Sequence, residues 1–269
     1  MNDVIEFLTE QYNKGLGYSA LNTARGALSS LGIRLESFPA GSHPTVVRFM
    51  KGVYNLRTPS TRTTETWDVN KVLNHLRKLS PVKTLTLKDL TLKLTMLLGL
   101  TNAARAQTLH VISYKLSKKT SSGYLLKFNS LLKQSRPGFD CSSLVLKAYP
   151  PDRRLCVVTV LREYLSRTKP CRKDCDDSLL LSYVKPYKPV SRDTISRWIR
   201  VVMLRSGIDV NRYTAHSVRA AASSKAKAMM VPISDILKTA GWSQESTFSK
   251  FYNKTIPGQN TFAEAVLNM

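Results

Sequence analysis

The 269 residues are 42% apolar, enough to fill a core, so the chain reads as globular, with one large domain or two smaller ones. With 41 Lys and Arg against 18 Asp and Glu, the net charge of +23 calls for a polyanionic partner, nucleic acid first. A membrane is the weaker candidate: no run nears the ~20 apolar residues of a spanning helix, the basic residues are spread along the chain, and the opening MNDVIEFLTEQ is too acidic and polar for a signal peptide, so the expected place of action is inside the cell.

In chain order, residues 4 to 14 and 19 to 31 read as two helices, the second opened by Ser19 and stopped by Gly32. A third runs from about Pro44 to Leu56. The stretch RTPSTRTTET, residues 57 to 66, has no periodicity, many Thr and a Pro, and reads as a linker. The charge divides there: residues 1 to 65 hold 7 basic and 5 acidic side chains, residues 66 to 269 hold 34 and 13. The surface that meets a polyanion is therefore expected mainly in the second part.

That part opens with WDVNKVLNHLRKL, where Val69, Val72, Leu73, Leu76 and Leu79 make one apolar face, and continues with the longer, more buried helix LTLKDLTLKLTMLLGL. Alternation in LHVISYKL, then YLLKF and SLVLKAY on either side of LLKQSRPG, predicts a small antiparallel sheet. CVVTVLREYLSRT is helical and CRKDCDDS a polar loop. Ser191 caps SRDTISRWIRVVMLRSG, which turns Ile195, Trp198, Ile199 and Val202 inward and spreads Arg192, Arg197, Arg200 and Arg205 over its exposed side. Such a side is either a solvated charged face or one that lies along phosphates or in a major groove. The fold class is mainly α with a small antiparallel sheet, an α+β arrangement.

Of the four cysteines, Cys171 and Cys175 have a spacing that can grip zinc, but no His lies near and Cys141 and Cys156 fall in other elements, so reduced thiols and no metal are expected. His43, His75 and His110 have no partner pattern and read as structural.

The stretch from His216 to Tyr252 gathers chemistry. His216 and Arg219, at i and i+3, leave one face of a helix start. Pro232 opens a second helix with Ile233, Ile236, Leu237 and Ala240 on one face; Gly241 stops it and Trp242 follows directly. Ser246 can cap a third, on which Phe248, Phe251 and Tyr252 share a face. Singly, each residue is more often packing than a site. Together, H-x-x-R, then A-G-W, then a Tyr ten residues after the Trp resembles the C-terminal signature of the tyrosine recombinases, the phage-integrase family. The upstream residues that the family needs are present: Arg105 after the apolar helix in LTMLLGLTNAARAQTL, and Lys133 in the loop of the expected hairpin, with Lys127 and Lys115 as neighbours. One position departs: Thr108 stands where the family commonly has an acidic residue, three after the first Arg. LLKQSRPG, TISRWI and AHSVRAAASS look like the eukaryotic mobile-element branch, of DIRS-like retrotransposons and Cryptons, for which the nucleus is the expected compartment.

The resemblance implies a small helical core-binding domain at 1–63, short by family standards, and a catalytic tyrosine-recombinase fold at 64–269. It implies double-stranded DNA as partner, Arg192, Arg197 and Arg200 as DNA contacts, tetramers on paired sites with a monomer off DNA, and no cofactor. By the same resemblance Tyr252 is the nucleophile that forms a 3′-phosphotyrosine, Arg105 and Arg219 clamp the nonbridging oxygens, His216 and Trp242 assist, and Lys133 protonates the 5′ leaving oxygen. NTFAEAVLNM, with Thr261 and Glu264 in capping-box spacing, would be a last helix that docks on a neighbouring protomer or packs on its own domain. Three other readings remain beside this one: a type IB topoisomerase, which shares the chemistry but relaxes DNA as a monomer; a binding protein of recombinase descent that no longer cuts; and a basic structural protein with a chance motif, which needs six coincidences.

Overall fold

Amphipathic periodicity turns the N-terminal part into helices α1 (Asn2–Asn13), α2 (Tyr18–Ser30) and α3 (Pro44–Leu56), with a small hairpin, β1 (Arg34–Leu35) and β2 (Phe38–Pro39), between the last two. The computed structural model describes residues 2–58, 64–132, 135, 143–173 and 177–257. Leu8, Leu21, Val46, Met50 and Val53 close this part's own core. The start of α2 differs from expectation: it begins at Tyr18 with Gly17 as a cap that lends no side chain, while Gly32, at φ +79°, lets the chain leave the helix as its position predicts. At α3, His43 accepts the Thr45 amide at 3.3 Å and Pro44 occupies the first turn, so this histidine is a helix cap. The chain divides into two compact units, Met1–Thr63 and Thr64–Met269.

The second unit is built around one apolar helix. After α4 (Val69–Lys78) comes α5 (Leu87–Thr101), buried without interruption from Leu90 to Gly99. A helix sunk on all sides must satisfy its polar residues internally. Thr91 and Thr95 therefore donate to carbonyls one turn back, those of Leu87 at 2.7 Å and Thr91 at 2.8 Å. Against α5 pack the short α6 (Ala106–His110), then, beyond the sheet of β3 (Lys118–Lys119), β4 (Gly123–Lys127) and β5 (Ser143–Lys147), the helices α7 (Val157–Thr168), α8 (Arg192–Arg205) and α9 (Ser217–Ala228). The chain then turns through α10 (Ile233–Ala240) and α11 (Glu245–Phe251).

The sheet runs β3-β4-β5, antiparallel throughout, with Gly123 opposite Lys147 and Lys127 opposite Ser143. Glycine is required at 123, since a Cβ there would stand 1.8 Å from the Leu146 carbonyl oxygen. LHVISYKL does not form the strand its alternation predicts. Leu109 and His110 finish α6, and Ile112 and Ser113 make only isolated bridges, to Phe128 and Ser178. The cause is tertiary: Leu109 and Ile112 are sunk in the main core by a helical turn followed by a bend. Lys133 and most of its loop lie outside the described residues, as do Cys141, Cys175 and residues 258–269. No helix among the described residues is long and apolar enough to cross a membrane.

Lys93 sits fully buried in the middle of α5, and its ammonium donates to the carbonyl of Leu79, the C-cap of α4, at 2.5 Å. The contact ties the end of one helix to the flank of another. Burial, the largest influence, holds its pKa down at about 8 from the ordinary 10.5, although Asp152 pulls the other way. Between those values the unfolded chain binds a proton that the folded one does not, so this group's contribution to stability rises with pH. Urea unfolding at a series of pH values should show the wild type gaining on Lys93→Met from about pH 8 to pH 10. Parallel curves would exclude a depressed Lys93.

Candidate active site

Four chain segments converge at one end of the second unit. The first is the exit of α5, where the Asn102 side chain donates to the Leu98 carbonyl at 3.1 Å and Ala103 takes a left-handed φ of +44°. A non-glycine residue adopts that conformation at a cost of about 1–3 kcal/mol, so the surroundings must hold it there. The bend delivers Arg105 as the N-cap residue of α6. The second segment is the start of α9, with His216 as N-cap and Arg219 in the first turn. The third is the end of α10, where Gly241 at φ +67° lets the Trp242 amide turn back onto the Leu237 carbonyl at 2.9 Å. The fourth is α11, whose C-cap residue is Tyr252. Its N-cap is Gln244, so Ser246 lies inside the helix and does not cap it.

Arg219 joins three of these. It is 2% exposed; Nη1 donates to the Ala103 carbonyl at 2.6 Å and Nη2 to the Ala240 carbonyl. Its guanidinium lies 4.2 Å from the ring centre of Trp242 and 5.4 Å from that of Tyr252. A planar, permanently charged fork suits two carbonyls from different elements, which a lysine would not match. Ala103, Ile236, Ala240, Trp242 and Phe248 form the apolar floor beneath it. Trp242 stacks at a tilt on Tyr252, 4.4 Å between centres, and its indole N–H is buried without a hydrogen-bond partner among the described residues. Such an orphaned donor costs stability unless something else accepts from it.

The Tyr252 hydroxyl lies 3.1 Å from His216 Nε2. Ser224, on α9, holds the backbone at that point, donating to the Tyr252 carbonyl at 2.7 Å and accepting from the Lys254 amide at 3.0 Å. His216 as a residue keeps part of its surface open to solvent, yet its imidazole is pushed below the ordinary histidine range, first by desolvation, then by Arg105, Arg219 and Lys254. The ring beside the tyrosine hydroxyl is therefore neutral at neutral pH.

No family model and no curated protein matches the sequence. Solved structures do match the fold. XerH site-specific recombinase bound to palindromic difH, a post-cleavage complex, aligns with a TM-score of 0.63 over 93% of this chain and 68% of that one, at 13% identity. The Tn1549 transposon integrase in complex with circular intermediate DNA aligns at 0.58 over 100% and 84%, at 12% identity, and XerA recombinase at 0.51 over 98% and 88%, at 14%. The fold is that of the tyrosine recombinases.

Within this recombinase fold Arg105, His216, Arg219, Trp242 and Tyr252 come together, Arg105 near enough for its charge to depress His216. Lys133 lies outside the described residues. Thr108 is buried in α6, a hydroxyl where the family pattern has a carboxylate. The α8 arginines are exposed; among the described residues Arg192 bonds to Asp193 at 3.2 Å and Arg197 to Thr194 at 3.0 Å within the helix, and Arg200 to the Val210 carbonyl at 3.4 Å beyond it. Arg205 differs, being paired with Asp89 at 2.8 Å, which ties the end of α8 to the first turn of α5. Sequence reasoning does not reach Ser224 and Lys254. Ser224 lies seven residues after Ser217 on the same helix face, the one signal available.

Arg105→Gln should raise the His216 titration toward the ordinary histidine value, followed by NMR of its ring protons. An unchanged titration would place Arg105 away from the imidazole.

Proposed function

We propose that the protein is a site-specific DNA recombinase that cuts and rejoins strands through Tyr252, acting in integration of a mobile element. The observation that carries this reading is the 3.1 Å contact of the Tyr252 hydroxyl with a neutral His216 among three cations and a buried, unpartnered indole N–H. A tyrosine needs a proton acceptor to attack phosphorus, and the pentacoordinate transition state needs fixed positive charge and donors. His216 Nε2 accepts the Tyr252 proton as Oη bonds to phosphorus. The bond to the 5′ oxygen breaks, that oxygen takes a proton, and the 3′ end stays on Tyr252. Arg105 and the immobile Arg219 stabilise the charge, and Trp242 donates its indole N–H to a nonbridging oxygen. Lys133, which falls between β4 and β5 in the sequence, is the proposed general acid by resemblance. The 5′ hydroxyl of a second strand then displaces Tyr252, so the phosphodiester energy is conserved and no ATP is consumed.

Support for the DNA partner comes from the net charge of +23 and from fold neighbours solved with DNA sites. The mobile-element role is supported by LLKQSRPG, TISRWI and AHSVRAAASS and by the likeness to a transposon integrase. The two units take the core-binding and catalytic roles, and pairing of two sites uses a tetramer.

A nicked duplex that loses its 5′ fragment after cleavage should trap the wild type covalently on the 3′ end without added metal or ATP. Tyr252→Phe keeps the stacking on Trp242 and should abolish the adduct while DNA affinity stays within about twofold, a change of under ~0.5 kcal/mol. Equal adduct from both proteins would assign the nucleophile to another residue; none from wild type would leave a binding protein. Replacing Arg192, Arg197 and Arg200 with Gln should flatten the dependence of log affinity on log salt by about 0.9 for each phosphate no longer neutralised, measured by fluorescence anisotropy.

A further inference from the structure

The recombinase reading accounts for α9, α10 and α11 but not for the residues that open the second unit. Thr64, Glu65, Thr66 and Trp67 are far from Tyr252 in sequence, yet this strip bonds to the segments on both sides of it. The Thr66 amide donates to the Thr255 carbonyl at 2.8 Å and the Thr255 amide to the Thr64 carbonyl at 3.0 Å, a short parallel bridge three residues beyond Tyr252. Trp67, 3% exposed, donates its indole N–H to Ser217 Oγ at 2.8 Å, and Ser217, directly after His216, passes its own hydrogen to the Thr214 carbonyl at 2.7 Å. That chain is directional and fully assigned: the hydroxyl of Ser217 has one hydrogen, so its lone pairs receive the indole. Glu65 adds an ion pair with Arg212 at 2.9 Å, but both side chains are about half exposed and such a pair contributes little.

We propose that Thr64–Trp67 is a positioning element for the reaction, holding the Tyr252 segment through Thr255 and the His216 turn through Ser217 in one register. The proposal rests on Tyr252 as nucleophile. The Tyr252 amide is tied within its own helix turn, to the Phe248 carbonyl at 2.8 Å, and its ring lies against Trp242 and Arg219, but the chain beyond it has left the helix and takes its register from other segments. α11 is seven residues long and ends one residue before Tyr252, which is then held by the Ser224 bonds on one side and by the Thr64–Thr66 bridge on the other. Both arms of the strip converge on the two partners of the 3.1 Å hydroxyl–imidazole pair. A displacement of about 1 Å at a reacting centre can cost on the order of a hundredfold in rate, so a contact outside the reacting atoms can govern the rate without touching DNA.

Two variants separate positioning from folding. Trp67→Phe keeps the buried ring and removes one N–H, and Ser217 retains its bond to Thr214. Thr255→Pro, at an exposed position, removes the single amide that bonds to Thr64. Each is expected to lower the single-turnover rate of adduct formation at saturating DNA about tenfold, as a misplaced reacting group does. DNA affinity should be unchanged, and the His216 titration should move toward the ordinary histidine value as the ring shifts among Arg105, Arg219, Lys254 and Tyr252. Wild-type rate and wild-type titration in both variants would overturn the proposal. So would a slower rate matched by an equal loss of DNA affinity with the titration unmoved. If the wild type formed no adduct, the recombinase reading would fall, and the His216 titration alone would decide whether the strip sets this geometry.

Discussion

The site depends on one buried cation. Arg219 is placed where a guanidinium has almost no contact with water, and it stays charged because two carbonyls and two aromatic faces surround it. Those carbonyls belong to Ala103 and Ala240, the ends of α5 and α10, so the residue that supplies charge also fixes the loops that deliver Arg105 and Trp242. The left-handed Ala103 is intelligible in these terms: its backbone is turned so that its oxygen meets Arg219. Charge placement and backbone geometry are one interaction, and removing either would take the other with it.

The core makes this arrangement rigid. α5 is buried on every side from Leu90 to Gly99, and its exit is aimed by packing against α7, α8 and α9, with Thr91, Thr95 and Lys93 tied to carbonyls so that their polar groups are satisfied in the interior. A helix held on all sides delivers the bend at 102–105 to a fixed point, and the apolar floor of Ile236, Trp242 and Phe248 meets it from the other side. Arg219 is shut off from solvent, whereas His216 is exposed and Tyr252 half-buried. The low-dielectric floor strengthens the fixed charge at that surface.

Electrostatics then sets the protonation states. The cations that would bind a phosphate also keep the imidazole neutral: Arg105, Arg219 and Lys254 all depress His216 on top of its desolvation. In a chain with this excess of Lys and Arg, the same kind of charge that would attract a polyanion also holds this imidazole in its neutral form. Thr108, buried in α6, stands where the family pattern has an acidic residue and carries no charge.

Much of this was legible in the amino-acid order. Helical periodicity marked α4, α5, α8 and α10, the Gly and Ser boundaries marked the sheet strands, and the H-x-x-R, A-G-W and Tyr spacing brought the site residues into view, because each signal is carried by neighbours within a few turns of chain. Local pattern misled where packing outweighed it: LHVISYKL alternates like a strand, yet burying Leu109 and Ile112 in the same core required a helical turn and a bend. What only the tertiary structure decided are the long-range bonds: Arg219 to the Ala103 carbonyl, Ser224 to the Tyr252 carbonyl, Trp67 to Ser217, and the Thr64–Thr66 bridge to Thr255. Backbone carbonyls and amides are the same at every residue, so sequence carries no mark of which of them a distant arginine or strand will meet; that choice is made when the helices pack.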